Sequence, residues 1–502
     1  MKNNKSTAIK TSVFKKFPKT FWISNTMELF ERWAWYGLFA VLALYLTNST
    51  DEGALGFSQT QKGALMGTVT AILYFLPIIT GALADRLGYK KVLIFAYLIL
   101  SSGYLIMGSV SSYVLVYLAF LWVALGAALF KPVISATITK TTTKETSSIG
   151  FGIFYMMVNV GGFIGPIFSS KLRGAYGWKI VFIMAASAIL VNLILLLLFY
   201  KEPYRDETKD TLGATIKKSL INIWTAIKDM KLLIFLIIMV GFWTMFNQLF
   251  YTLPNFIDQW VNTKVIYDSL ADISPALAAN IGTKHGTIAP EMLVNLDAGA
   301  IILFQVLIST LVMKWRPINA IISGIIVTSI GIGVAFGTSN GFYLILGIFI
   351  FAIGEMASSP KFTEYVGRIA PRNKEALYMG TAFLPMAAGN FLTGFLSGNL
   401  YEAWSDKVSL LKIEVAKRGL EIPEIANGFS QNDYYNRAGE LMGMDQQQLT
   451  DFLWNNYNPS KIWMVFSAIG VATIIGLLLY DKFILGGKEQ TKDEEEKVEK
   501  AK

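Results

Sequence analysis

Hydrophobic positions in this chain run in blocks of bilayer length instead of alternating with polar ones. Apolar stretches cover about residues 21–46, 63–84, 91–109, 113–138, 149–170, 178–200, 232–260, 297–313, 318–336, 341–366, 376–399 and 460–482. Roughly 20 helical residues cross a ~30 Å hydrocarbon core, so the pattern predicts twelve transmembrane helices. The polar stretch 201–230 parts them six and six. The expected organisation is an N-terminal cytoplasmic segment (1–20), a six-helix bundle (21–200), a cytoplasmic linker (201–230), a second six-helix bundle (231–485) with an outer-loop insertion at about 400–459, and a charged cytoplasmic tail (486–502).

A faint repeat joins the halves. Gly126 precedes Pro132 in the fourth apolar stretch as Gly354 precedes Pro360 in the tenth, and a glycine-rich stretch follows each. Equal ordinal positions in two halves point to duplicated bundles around a central cavity. The linker is basic and amphipathic (Ile216, Leu220, Ile223, Trp224, Ile227), as expected of a helix lying along the membrane surface. Within the outer insertion, Gly419 reads as a helix C-cap and Ser430 as an N-cap, which predicts a small helical cap.

Composition agrees with a membrane protein: 53% of the 502 residues are hydrophobic and 16% charged, with mean hydropathy +0.47. The absence of cysteine and the single histidine, His285, leave no basis for disulfides, thiol chemistry or a zinc centre, and no catalytic motif is visible. An enzyme is not expected, nor is a metal. The excess of 44 Lys and Arg over 35 Asp and Glu gives a net charge of +9. With the N-terminus inside, about 30 of those 44 basic residues fall in cytoplasmic segments. The charge therefore tracks the membrane, not a nucleic acid, and places both termini in the cytoplasm.

Ionisable groups at bilayer depth cost several kcal/mol unless paired or hydrated, so each needs a reason. Glu28, Glu31 and Arg32 share one face of the first helix at i, i+3 and i+4. At 1.5 Å per residue, Glu28 lies ~10 Å and Arg32 ~16 Å above the inner boundary, while Lys131 comes at ~12 Å and Asn159 and Glu355 at ~16 Å. Polar groups from both halves thus fall in one layer. Arg32 and Lys131 facing Glu355 suits a small zwitterion such as a peptide or amino acid. The other acids suit proton transfer, because burial raises a carboxyl pKa and a neighbouring base lowers it. The simplest scheme pairs Glu31 with Lys131 and breaks that pair on protonation.

The residues Glu28-Leu-Phe-Glu31-Arg32-Trp33-Ala-Trp35-Tyr36-Gly37 resemble the E-x-x-E-R-F-x-Y-Y-G motif of the proton-dependent oligopeptide transporter family, within the major facilitator superfamily. Phe130-Lys131-Pro132, the run Phe154-Tyr155 to Asn159 and Gly161, and Gly354-Glu355 with Ser359-Pro360 are similar to its fourth-, fifth- and tenth-helix signatures. The resemblance implies an all-α membrane protein with the major facilitator fold, twelve helices in two six-helix bundles. It further implies a symporter importing di- and tripeptides with protons by alternating access across a bacterial cytoplasmic membrane, functional as a monomer, with no cofactor beyond the proton. Glu28, Glu31, Arg32 and Lys131 would carry proton coupling. Arg32, Tyr36, Tyr74, Lys131, Asn159 and Glu355 would line the substrate site. Asp85 and Arg86, in a Gly81-x-x-x-Asp85-Arg86-x-Gly88 loop similar to the superfamily's, would latch the halves together. Two positions depart from the pattern. Asn247 stands where the family commonly has a Glu of the proton pathway, and Asp297 lies near a position usually Asn. A related transporter for another small solute, with altered coupling, is therefore the alternative, and a sensor built on the same fold a more distant one.

Overall fold

The computed structural model describes residues 13–143, 145–204, 211–371, 375–426 and 428–486. The expected charged tail and the first twelve residues lie outside this set. The described chain is all-helical apart from two isolated β-bridges. Nine described helices are long and apolar enough to cross a bilayer, and a bent pair, Gln59–Phe75 with Ile79–Leu87 at 45°, makes ten. Two further helical stretches occupy the places of the first and eleventh expected spans. The first, Lys19–Thr47, has the length but carries Glu28, Glu31 and Arg32 in its middle. The eleventh is broken into Glu375–Thr381, Phe383–Phe395 and a π-turn at Leu396–Leu400.

Breaks occur where the chain must turn inside the bilayer. Pro77 starts the second half of the bent second span, since its ring cannot follow an uninterrupted helix. The seventh span stops at Phe246, resumes as Gln248–Tyr251 and again as Leu253–Trp260, with Pro254 inside the last piece. The eighth begins as a short turn, Pro290–Val294, before Leu296–Val312. Two short helices, Lys264–Ile273 and Pro275–Ile281, fill the loop between the seventh and eighth spans, where the hydrophobic pattern predicted only loop. The loop after the eleventh span folds into three more, Lys407–Lys417, Gln431–Met442 and Gln446–Tyr457. Ser430 and Asp433 form a reciprocal cap on the second of these, and Gly419 has φ +64° just past the end of the first.

Buried apolar side chains gather into two large cores, one almost wholly from residues 17–200 and one from 226–480. The linker helix, Leu212–Ile227, packs against the second span's second half and against Glu375–Thr381, keeping Leu220, Ile221 and Trp224 exposed. Thr20 donates to the carbonyl of Lys201 at 3.0 Å, so the first span starts at the linker end of the molecule.

At the end opposite the linker, the two bundles are bonded together. Lys62 donates to the Tyr251 carbonyl at 3.0 Å and to Asn255 Oδ1 at 3.1 Å. Asn255 in turn donates to Thr47 Oγ1 at 2.6 Å, and Gln59 to Asp406 Oδ1 at 3.0 Å. Arg173 pairs with Glu291 at 2.9 Å. The Tyr251 carbonyl is available because the helix breaks there, so the break supplies an acceptor for a fully buried lysine. The second and eleventh spans meet backbone to backbone: a Cβ on Gly63 would overlap the Gly394 carbonyl, and one on Gly67 would lie 2.7 Å from Gly394 Cα. Small residues are what permit such an approach in a membrane. Among the described residues, no hydrogen bond joins the two bundles' helices at the linker end.

This contact makes closure testable. Gly63→Leu should hold the far end apart. Because the chain has no cysteine, Thr70→Cys, buried in the closed form, gives a clean probe: its reaction with a water-soluble maleimide should rise several-fold when Gly63→Leu is added. Unchanged labelling would show that this end does not open.

Candidate functional site

The charged motif of the first span folds into a closed triad. Its i, i+3 and i+4 spacing sets the three side chains on one helical face. Arg32 Nε lies 3.3 Å from Glu28 Oε1, and the same guanidinium makes a very short contact with Glu31 Oε2. All three are buried, Glu31 completely. The fifth span, Ser147–Tyr176, covers this face closely: a Cβ on Gly161 would stand 2.8 Å from Arg32 Cβ.

Lys131 takes a different place from the one expected. Its ammonium lies 4.8 Å from the Tyr74 ring centroid and makes no ion pair among the described residues. Glu31 is paired with Arg32, not with Lys131. The reason is reach: Arg32 is the next residue on the same helix, whereas Lys131 comes from the fourth span and meets the aromatic wall of the second first. Lys131 is still close enough for its charge to act on Arg32, Glu31 and Glu28. Tyr36 lies under the Arg32 guanidinium at 5.7 Å, with Lys131, Tyr74 and Glu355 near it. The structure therefore brings Glu28, Glu31, Arg32, Tyr36, Tyr74, Lys131 and Glu355 into one neighbourhood.

The fifth span contributes an open face. Gly152 has nothing within 4 Å of its Cβ position, and Tyr155 and Met156 are about half exposed. Asn159, one turn further, donates to the Tyr155 carbonyl at 2.9 Å. Tyr155 was not singled out from the sequence, although its spacing from Asn159 was the available signal. It stands near Glu355, Asp297 and Tyr36.

Asp297 is buried at the start of the eighth span's long helix, and its Oδ1, like Oε2 of Glu355 on the tenth span, has no hydrogen-bond partner among the described residues. Asn247 is buried at the seventh-span break, with its side-chain amide nitrogen unpartnered. Asp85 and Arg86 do not bridge the bundles here. Both are exposed; Asp85 accepts from the Tyr89 hydroxyl at 3.1 Å, and neither forms an ion pair among the described residues.

A separate cavity of 1320 Å³ opens over the bonded far end, lined in part by Lys171, Arg173, Asp258, Lys264, His285 and Lys407. It includes none of the triad. Burial pushes the Lys407 ammonium down to about 8, against the opposing pull of Asp258 and Asp406.

Because Arg32 neutralises two buried carboxylates, its removal should cost more than its own contacts. Arg32→Ala should destabilise the protein by about 3–5 kcal/mol, read as a fall in Tm or loss of detergent-stable protein. Adding Glu28→Gln and Glu31→Gln should recover much of the loss. No recovery would mean that shape, not charge, holds the triad.

Comparison with known proteins agrees with this geometry. The Major Facilitator Superfamily model matches residues 26–261. The chain is 32% identical over 197 residues to a dipeptide and tripeptide permease A of Pectobacterium carotovorum, and 31% identical over 197 residues to that of Escherichia coli. In each case the match takes in 38% of this chain and 38% of the relative's own length. Among solved structures, a peptide transporter POT in complex with sulfate superposes with a TM-score of 0.67 at 18% identity, covering 92% of this chain and 94% of that one. A POT family transporter in complex with 5-aminolevulinic acid superposes with a TM-score of 0.68 at 16% identity, covering 94% and 99%. The chain thus has the major facilitator superfamily fold, and the relatives and solved structures it resembles include proteins named as dipeptide and tripeptide permeases and as POT family transporters.

Proposed function

We propose that this chain is a proton-coupled symporter that imports di- and tripeptides by alternating access across a bacterial cytoplasmic membrane, working as a monomer with both termini and the linker in the cytoplasm. The observation that carries the reading is the layer formed by Arg32, Lys131 and Glu355, with bases on one bundle and an acid on the other. Its polarity matches a zwitterion's, and relatives named as dipeptide and tripeptide permeases support a peptide as the zwitterion. Its coupling ion is the proton, with no further cofactor.

Arg32 is the centre of the proposed mechanism. In the described state its guanidinium is occupied by Glu28 and Glu31. A proton arriving on Glu31 would cancel one of those partners and leave donors free for the peptide carboxylate, with Lys131 as the second cation. Tyr36, Tyr74 and Asn159 would line the pocket, and Glu355 would receive the ammonium. With charge holding only the two ends of the peptide, side chains between them would be tolerated broadly. Closure at the linker end would then bring Asp85 and Arg86 into play.

Uptake of labelled Ala-Ala into proteoliposomes under an inward proton gradient tests the reading. The peptide should accumulate, and other di- and tripeptides should compete. Failure of all of them to enter or compete would end it. Glu31→Gln should abolish gradient-driven accumulation while leaving counterflow exchange substantially intact; equal loss of both would make Glu31 a binding or structural residue instead.

Asn247 favours a second reading, transport of another small solute with altered coupling, because an amide at the seventh-span break cannot titrate. Asn247→Glu distinguishes the two. Steeper dependence of peptide uptake on the proton gradient would show that this position still reaches the pathway, and no change would show that coupling runs elsewhere.

A further inference from the structure

The insertion between the eleventh and twelfth spans, Tyr401–Trp404 followed by Lys407–Lys417, Gln431–Met442 and Gln446–Tyr457, is seated on the second bundle by apolar packing. Leu410, Leu411, Ala438, Leu449 and Leu453 are buried in the second core. Trp260, at the end of the seventh span, donates to the Ser405 carbonyl at 2.7 Å, and Tyr401 donates to Gln259 Oε1 at 2.8 Å. Among the described residues, the first core takes no side chain from the insertion. Apolar surface buried in this way leaves its seat only by meeting water, so the insertion moves with the second bundle.

What the insertion offers the first bundle is polar. The second span starts with Ser58 and Gln61 in a reciprocal cap, and the helix Gln431–Met442 starts with Ser430 and Asp433 in another. A cap of this form satisfies the N–H groups of the cap residue and of the third helical residue, and leaves those of the first two without a partner in their own helix. Each helix gives its second N–H to the opposite bundle. Thr60 donates to Glu402 Oε2 at 2.6 Å, and Asn432 donates to Ser49 Oγ at 3.2 Å. The Asn432 side chain adds bonds to Glu52 Oε1 at 2.9 Å and Asp51 Oδ2 at 3.1 Å. Asp51 and Glu52 thus stand at the start of a helix, where its dipole favours negative charge. Their loop is fixed to the first span: Leu55 donates to the Tyr45 carbonyl at 2.9 Å and Phe57 to the Leu46 carbonyl at 2.8 Å. Two firmly seated bodies therefore meet through exposed carboxylates and helix ends that water can serve as well.

We propose that the insertion is a releasable clasp: it travels with the second bundle, holds the far end shut by exchanging helix-end N–H donors with the first bundle, and lets go whenever that end opens. The proposal rests on the alternating-access reading above and gives the insertion a part in it. The contrast between its two seats carries the inference. Leaving the apolar seat would expose hydrophobic surface, whereas leaving the polar seat trades each protein partner for water at small net cost. Gly398, one turn before Glu402, lies against Gln59 and Gly63, so the clasp and the glycine contact of the second and eleventh spans part together. Removing the polar seat should therefore raise the open population without loosening the insertion from its own bundle.

Maleimide labelling of Thr70→Cys in the full-length protein tests the clasp without any substrate. Asn432→Ala should raise the labelling rate several-fold, as should Asp51→Ala with Glu52→Ala. All three together should raise it no further than either side alone, because both sides remove one contact. Unchanged labelling with Asn432→Ala, where Gly63→Leu still raises it, overturns the clasp and leaves far-end opening intact; unchanged labelling with both overturns the clasp and the alternating-access reading together. Full addition of the two sides' effects overturns the direct contact. A second measurement needs no change at Asn432. Spin labels on the exposed positions Thr50→Cys and Asn436→Cys should move apart when Gly63→Leu is added, while labels on Asp272→Cys and Asn436→Cys should keep their distance. A constant first distance with a changed second would show the insertion staying on the first bundle, and would overturn the proposal.

Discussion

A buried ion cannot be left alone in hydrocarbon, and in this chain that constraint centres on Arg32. One guanidinium holds two carboxyl groups from its own helix, Glu28 and Glu31. Its donors are planar and fixed, which suits bidentate bonding to a carboxylate. In the mechanism proposed above, the partners it already holds are of the same chemical class as a peptide's carboxylate end, so that one would replace the other. The fifth span, seated on the first through Gly161, covers this face closely.

The same economy of charge appears at the far end of the molecule. Lys62 is fully buried, yet its direct partners are a carbonyl and an amide oxygen, with the Tyr401 ring at 5.4 Å. Those acceptors exist because the seventh span breaks around residues 247–253. Beside them the second and eleventh spans touch through glycines. Contacts of this kind form and part without rebuilding a helix. The closure thus combines neutral acceptors and bare backbone with one cross-bundle ion pair, Arg173–Glu291, and the carboxylate of Asp406.

How far the site could be read from the chain depended on whether the partners lay on one helix. The triad was legible because i, i+3 and i+4 spacing is a geometric statement by itself. The layer was legible because depth follows from counting residues along a helix. Partnership across helices was not: Lys131 was expected against Glu31 and lies over Tyr74, since rotation of the fourth helix relative to the first is set by packing. Tyr155 was read only as part of the fifth-helix signature, because its exposure, about half, depends on how the helices pack.

The chain's own pattern determined that it is a helical membrane protein, roughly where its spans lie, and which polar side chains stand at mid-depth. These depend on hydrophobic block length and helical rise, both local properties. Only the tertiary structure decided that the second, seventh and eleventh spans are broken, that helices fill the loop at 264–281, that the bundles are bonded together at the end away from the linker, and which acid holds which base. Each of those outcomes turns on helix rotation and close approach between segments far apart in sequence, where a few small residues and the demand that every buried polar group find a partner outweigh any local preference.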